Sequence, residues 1–169
     1  GLAYITGIYC LNRCDNGFPL ALMDASWLTA LRTGAATGVC ARYLAAPGAE
    51  VVGMVGLGVQ ARTSLMALRE ALPGLRRVQG YDLFPAQTER FGADLEPQLG
   101  GASFVPCSDP EAAVRDADVV VTCVPIVTNP QRFVPLSWLK PDALAISVDY
   151  DAAFCEDVMG GSFFCDDRE

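Results

Sequence analysis

Val51-Val-Gly-Met-Val-Gly-Leu-Gly-Val-Gln-Ala61 is the stretch whose reading decides the fold. Val51 to Val55 is apolar without polar alternation, as a strand covered on both faces is. Val59 to Leu72 has the spacing of a helix, ended by Pro73-Gly74. Between them Gly56 suits a tight turn, Gly58 lets a ligand approach the backbone, and Ala61 replaces a third glycine where helix and strand pack closely. The helix start at Val59 and Gln60 presents unpaired N–H groups and a positive dipole end, which suits a pyrophosphate. A glycine pair alone is a weak signal; the strand before it and the helix after it give it a mechanism.

Further along, short apolar runs alternate with helical stretches. Val78 to Tyr81 reads as strand, Pro85 to Leu95 as helix and Phe104 to Pro106 as strand. Asp109-Pro110-Glu111 opens a helix that runs to Ala117, with a cap before a proline at the first helical position. Val119 to Thr122 and Ala143 to Val148 are strands. Such alternation predicts βαβ units in a doubly wound parallel sheet, the Rossmann-type dinucleotide-binding architecture of an α/β protein. Asp82 ends the strand Val78 to Tyr81, where an acidic residue accepts hydrogen bonds from both adenosine ribose hydroxyls and repels a 2′-phosphate. NAD is therefore favoured over NADP, with Arg76 and Arg77 read as solvated.

Upstream of the loop, two apolar runs, Ile5 to Leu11 and Pro19 to Met23, flank Cys14-Asp-Asn-Gly17. Asn-Gly is a hairpin signal because both residues tolerate positive φ. Asp24 or Ser26 then caps a helix over about Ala25 to Leu44, which Ala46-Pro-Gly48 terminates. The chain opens on a strand with no leader, the mark expected of a fragment whose partner strands lie upstream.

With 169 residues, 51% hydrophobic and 19% charged, the composition is that of a soluble globular protein with one whole domain and part of another. The formal charge of −8 and the lack of a basic run exclude a nucleic-acid partner, and no apolar run is long enough to span a membrane. Seven cysteines form no CxxC pair and there is no histidine, so neither a metal site nor a disulfide framework is expected. Cys40 and Cys123 sit in apolar runs as small hydrophobes do, and a reduced cytoplasm fits best.

Leu22-Met-Asp-Ala-Ser-Trp-Leu-Thr-Ala-Leu-Arg-Thr-Gly-Ala35, followed by a strand and then Gly56-Leu-Gly-Val-Gln-Ala-Arg62, closely resembles the ornithine cyclodeaminase and μ-crystallin family. The resemblance runs from the hairpin through Val148. It implies a Rossmann domain set within a substrate and dimerisation domain, with residues 1–45 part of the latter and 46–169 the NAD-binding domain. Residues 150–169 would turn back toward the substrate domain, and the protein would be a homodimer through that domain.

Arg32 has no carboxylate at the helical positions that could pair with it, and Gly34, Ala35, Ala36 and Gly38 leave space for another domain or a ligand. The resemblance assigns Arg32 to the substrate carboxylate beside the nicotinamide, a task that suits a fork of donors. Asp149, at the carboxyl end of a strand, matches the family's catalytic aspartate, whose work needs a pKa raised by partial burial. Asp151 is a rival, and Tyr150-Asp-Ala-Ala-Phe154 departs from the family's glycine- and lysine-containing stretch. Thr122 matches a cofactor contact. The resemblance implies an NAD-dependent enzyme acting on an amino acid or its imine, as cyclodeaminase, dehydrogenase or ketimine reductase. The alternative is a non-catalytic binding protein of the μ-crystallin kind, and the fragment alone is expected to be inactive.

Overall fold

The computed structural model describes residues 6–150, 152–162 and 164. Strands β1 (Ile8–Asn12) and β2 (Pro19–Asp24) form an antiparallel hairpin, followed by helix α1 (Ser26–Leu44). Then come β3 (Val51–Val55), α2 (Val59–Ala71), β4 (Arg77–Tyr81), α3 (Pro85–Leu95), β5 (Ser103–Pro106), α4 (Pro110–Val114), β6 (Val119–Thr122) and β7 (Leu144–Ser147). The last five strands form one parallel sheet in the order β5-β4-β3-β6-β7, the doubly wound α/β arrangement expected.

Side chains alternate across this sheet. Val52 and Met54 of β3 and Val119 and Val121 of β6 join Leu65 and Leu68 of α2 and Phe91 of α3 on one face. Val55 and Val120 meet Ala113 and Val114 of α4, with Val134 and Ala153, on the other. Both faces are covered at the centre of the sheet, so β3 and β6 carry apolar residues or glycine up to the terminal Thr122.

Helix α1 docks on α2 through its glycines. A Cβ added at Gly34 would lie 2.4 Å from the Thr63 carbonyl carbon, and one at Gly38 would lie 2.8 Å from Ala67 Cβ. The space that Gly34 and Gly38 leave is thus filled by α2. Both pairs share one offset, so α1 and α2 run parallel, and the Thr37 and Ser64 hydroxyls meet in the buried seam at 3.1 Å.

Three local features differ from expectation. Only Gly17 takes a positive φ (72°) in the hairpin turn; its N–H donates to Arg13 O at 3.0 Å and closes a loop over Cys14 to Gly17, so Asn16 needs no left-handed conformation. Ala25 is the N-cap of α1, with no side-chain cap bond; Asp24 instead accepts from the N–H and hydroxyl of Ser26. Helix α4 stops at Val114, because Arg115 is extended and Asp116 is left-handed (φ 62°), which turns the chain into β6. Its start follows the sequence: Asp109 accepts from Ala112 N–H at 2.8 Å.

The hairpin exposes apolar residues on both faces: Ile8, Tyr9, Leu11, Leu20, Leu22 and Met23 are all exposed, as are Trp27, Leu28 and Leu31 on α1. Among the described residues no helix is long and apolar enough to cross a membrane.

Candidate functional site

The chain leaves β3 toward β4 and β5 on one side and reaches β6 and β7 on the other, so the carboxyl ends of β3 and β6 flank a topological switch point, where doubly wound sheets bind ligands. At that point Gly56 has φ 81°, and a Cβ there would lie 2.7 Å from Cys123 O and 2.9 Å from Val124 N. Glycine is required twice over, for its conformation and for the strand end that crosses beside it. Gly58 is exposed, with no atom within 4 Å of where its Cβ would be. It is the N-cap of α2 without a side-chain cap bond, so the first turn, which begins with exposed Val59 and half-buried Gln60, has N–H groups with no partner inside the helix. An open glycine at the positive end of a helix fits the diphosphate of a dinucleotide.

Asp82 follows β4 beside this loop. Its Oδ2 accepts from Leu57 N–H at 2.8 Å and its Oδ1 from Phe84 N–H at 3.0 Å. Each oxygen keeps a second lone pair, so the half-buried carboxylate has capacity for a diol. Arg76 and Arg77 lie at the other end of β4, roughly 16 Å away at 3.3 Å per residue, and Arg76 pairs with Glu50 at 3.2 Å. Neither is placed to receive a 2′-phosphate at Asp82.

The parallel seam between α1 and α2 sets Arg32 level with Ala61, in the first turn of α2 and hence at the loop's end of the fold. Arg32 is exposed and makes no ion pair or hydrogen bond among the described residues.

Asp149 follows β7 and is 2% exposed. Thr122, buried at the end of β6, donates its hydroxyl to Oδ1 at 3.0 Å, Ser147 donates to the same oxygen at 2.9 Å, and Val124 N–H donates to Oδ2 at 3.0 Å. Burial raises the pKa of Asp149; the bonds from Val124, Ser147 and Thr122 oppose it without cancelling it. Tyr150 is left-handed (φ 61°), which turns the chain sharply just after the carboxylate. The rival carboxylate, Asp151, lies outside the described residues. Burial, together with the neighbouring Asp149 charge, pushes the Cys123 thiol up to about 12 against a hydrogen bond with Ser64, so it is a protonated packing group.

The switch point therefore gathers Gly56, Gly58, Val59, Gln60, Asp82, Thr122 and Asp149, from segments far apart in sequence. Three participants escaped the sequence: Ser147, the N–H of Val124, and Gln87, whose amide donates to Leu57 O at 2.7 Å. Gln87 occupies the third position of α3, where a glutamine usually reaches back to cap its own helix. Only the proximity of Leu57 shows its other use. Among the described residues no group of three or more metal-ligating side chains is assembled, and Cys10, Cys14, Cys40, Cys107, Cys123 and Cys155 are free thiols.

A model of the ornithine cyclodeaminase/mu-crystallin family matches residues 1–154. The alanine dehydrogenase of Archaeoglobus fulgidus is 40% identical over 125 residues, 74% of this chain and 37% of its own length. The structure of Thermococcus litoralis Delta(1)-pyrroline-2-carboxylate reductase in complex with NADH and L-proline superposes with a TM-score of 0.76 at 29% identity, covering 88% of this chain and 46% of that one. An archaeal alanine dehydrogenase dimer with bound NAD gives a TM-score of 0.76 at 36% identity, covering 86% and 43%. The chain thus spans less than half the length of each of these relatives.

Proposed function

This chain belongs to the ornithine cyclodeaminase/mu-crystallin family, and from that premise we propose that it supplies the NAD-binding part of an oxidoreductase acting on a small amino acid or its imine. The observation that carries the proposal is the bond from Leu57 N–H to Asp82 Oδ2 at 2.8 Å, which sets a ribose-reading carboxylate against an open glycine loop at the switch point. The relatives named above, one holding NADH with L-proline and one holding NAD, support that choice of cofactor and substrate class.

Bound NAD would accept the hydride from the substrate Cα as the amine becomes an imine. The chain's own residues hold the rest. Arg32 would grip the α-carboxylate with its guanidinium fork, with the nicotinamide beside it. Thr122, wholly buried at the end of β6, would serve through the hydroxyl it gives Asp149 rather than through a direct cofactor contact. Asp149 would take and return the nitrogen's proton; its raised pKa brings the carboxylate nearer the operating range of a general base. Residues up to 45 would be the entering part of a substrate and dimerisation domain, and 46–169 the Rossmann domain, with 150–169 turning back. The hairpin's exposed apolar faces support this, since an isolated hairpin is only marginally stable and such patches mark contacts. The working assembly would be a homodimer in the cytoplasm.

One observation favours the binding-protein reading instead. All three donors to Asp149 come from the chain itself and the carboxylate is nearly enclosed, an arrangement that also serves a purely structural acid. Assaying NAD reduction by the intact protein with a panel of L-amino acids, beside Asp149→Asn, separates the two. Turnover lost in the variant with NADH binding retained supports proton handling. Unchanged turnover would remove Asp149 from that role, and binding without any turnover would favour the non-catalytic reading.

A further inference from the structure

Leu57 lies between the two loop glycines, and both of its backbone polar groups are held by side chains from the next βα unit. Its N–H donates to Asp82 Oδ2 at 2.8 Å and its carbonyl accepts from Gln87 Nε2 at 2.7 Å. Its own side chain is fully buried, which anchors the residue but leaves the planes of its peptides to these two bonds. The far side of the clamp is itself fixed. Asp82 Oδ1 accepts from Phe84 N–H, Asp82 N–H donates to the Thr88 hydroxyl at 3.2 Å, and Gln87 N–H donates to Phe84 O at 2.8 Å.

A trans peptide is planar, with its carbonyl and the following N–H pointing in opposite directions. Drawing Leu57 O toward α3 therefore turns Gly58 N–H away from α3. That N–H makes no hydrogen bond among the described residues, and the space beside Gly58 is open. A glycine loop has no side chains of its own to hold this orientation.

We propose that Gln87 is a positioning residue of the dinucleotide site: by holding the Leu57 carbonyl it orients the Leu57–Gly58 peptide so that Gly58 N–H is presented to the diphosphate. It does not touch the cofactor. The proposal rests on the NAD-binding reading, and its test separates the two.

The experiment measures NADH affinity of the intact protein by fluorescence titration between pH 5 and 8 for wild type, Gln87→Glu and Gln87→Met. The Gly58 amide resonance is followed by NMR in the cofactor-free proteins. Gln87→Met keeps the bulk and removes the donor without adding charge; it is expected to bind NADH about tenfold more weakly at every pH and to shift the Gly58 amide resonance, one lost hydrogen bond being worth about a factor of ten. Gln87→Glu is expected to match that weakness at pH 8 and to recover toward wild type as pH falls toward 5, because a protonated carboxyl donates to Leu57 O again. A residue that merely packs would show no loss in Gln87→Met. If both variants bind NADH like wild type at pH 8, the proposal is overturned. If wild type itself binds no NADH, the NAD reading fails, and an unchanged Gly58 amide resonance in Gln87→Met would overturn the clamp as well.

Discussion

Replacing Gly34 by alanine sets a general helix rule against one particular contact. In an exposed helix the change stabilises by about 1 kcal/mol, because alanine is the better helix former. Here the new methyl would lie 2.4 Å from the Thr63 carbonyl carbon and 2.5 Å from its oxygen, where an ordinary carbon contact needs about 3.5 Å or more. Those atoms are backbone inside α2 and cannot rotate aside, so α1 must withdraw by about 1 Å. Such a shift stretches the 3.1 Å Thr37–Ser64 bond beyond hydrogen-bonding range, a loss of about 1 kcal/mol, on top of the roughly 1–3 kcal/mol that overpacking costs. After the propensity gain the net destabilisation is about 1–3 kcal/mol, or roughly 3–10 °C in Tm for a protein of this size. Urea and thermal unfolding followed by circular dichroism measure it. Because the seam sets Arg32 level with the first turn of α2, the variant should also raise the KM for substrate more than it lowers kcat. A Gly34→Ala protein as stable as wild type would refute the tight α1–α2 seam and the placement of Arg32 that follows from it.

Asp118 accepts from the N–H groups of Glu50 and Val51, each at 2.8 Å, and from Lys140. Burial acts to raise its pKa, but those bonds prevail and lower it, so its stabilisation is present above about pH 4, the unfolded value, and fades as pH falls through the lowered folded value. Asp118→Ala should therefore cost about 2–4 kcal/mol at pH 7 and progressively less below pH 4 in denaturant titrations; a pH-independent difference would contradict the assignment. Asp149 has the opposite sign. Its folded pKa is raised, so its contribution is complete below the unfolded value near pH 4 and is lost as pH rises through the folded one; a carboxyl-labelled NMR titration should find its midpoint above the ordinary range. With its pKa near 12, Cys123 is about one part in ten thousand thiolate at pH 8, so iodoacetamide should modify the exposed Cys10 and Cys14 and leave Cys123 unlabelled in a mass-spectrometric footprint.

What the sequence disclosed were features whose cause is local. The βα turn at Gly56, the proline-started helices α3 and α4, and the apolar runs of the central strands β3 and β6 depend on neighbours a few residues away. Arg32 could likewise be read as lacking a partner from its helical neighbours alone. Other features depended on distant chain. The donors to Asp149 include Thr122 and Val124, more than twenty residues upstream, brought near only by parallel pairing of β6 with β7. Gly34 and Gly38 advertised room in the sequence, but nothing in it could say that α2 fills that room. Gln87 was hidden because its position has an ordinary local explanation as a helix-capping residue, and only the folded loop provides the carbonyl it serves instead.

The central claim is a dinucleotide site in which Asp82 both holds the glycine loop and receives the ribose. Titration of NADH fluorescence against the intact wild-type protein and against Asp82→Ala tests it most directly. Saturable wild-type binding that weakens at least tenfold in the variant, with the preference for NADH over NADPH diminished, is the predicted result, the removed carboxylate being worth about 1.5–3 kcal/mol in charged hydrogen bonds. No binding by wild type, or equal affinity in the two proteins, would contradict the account.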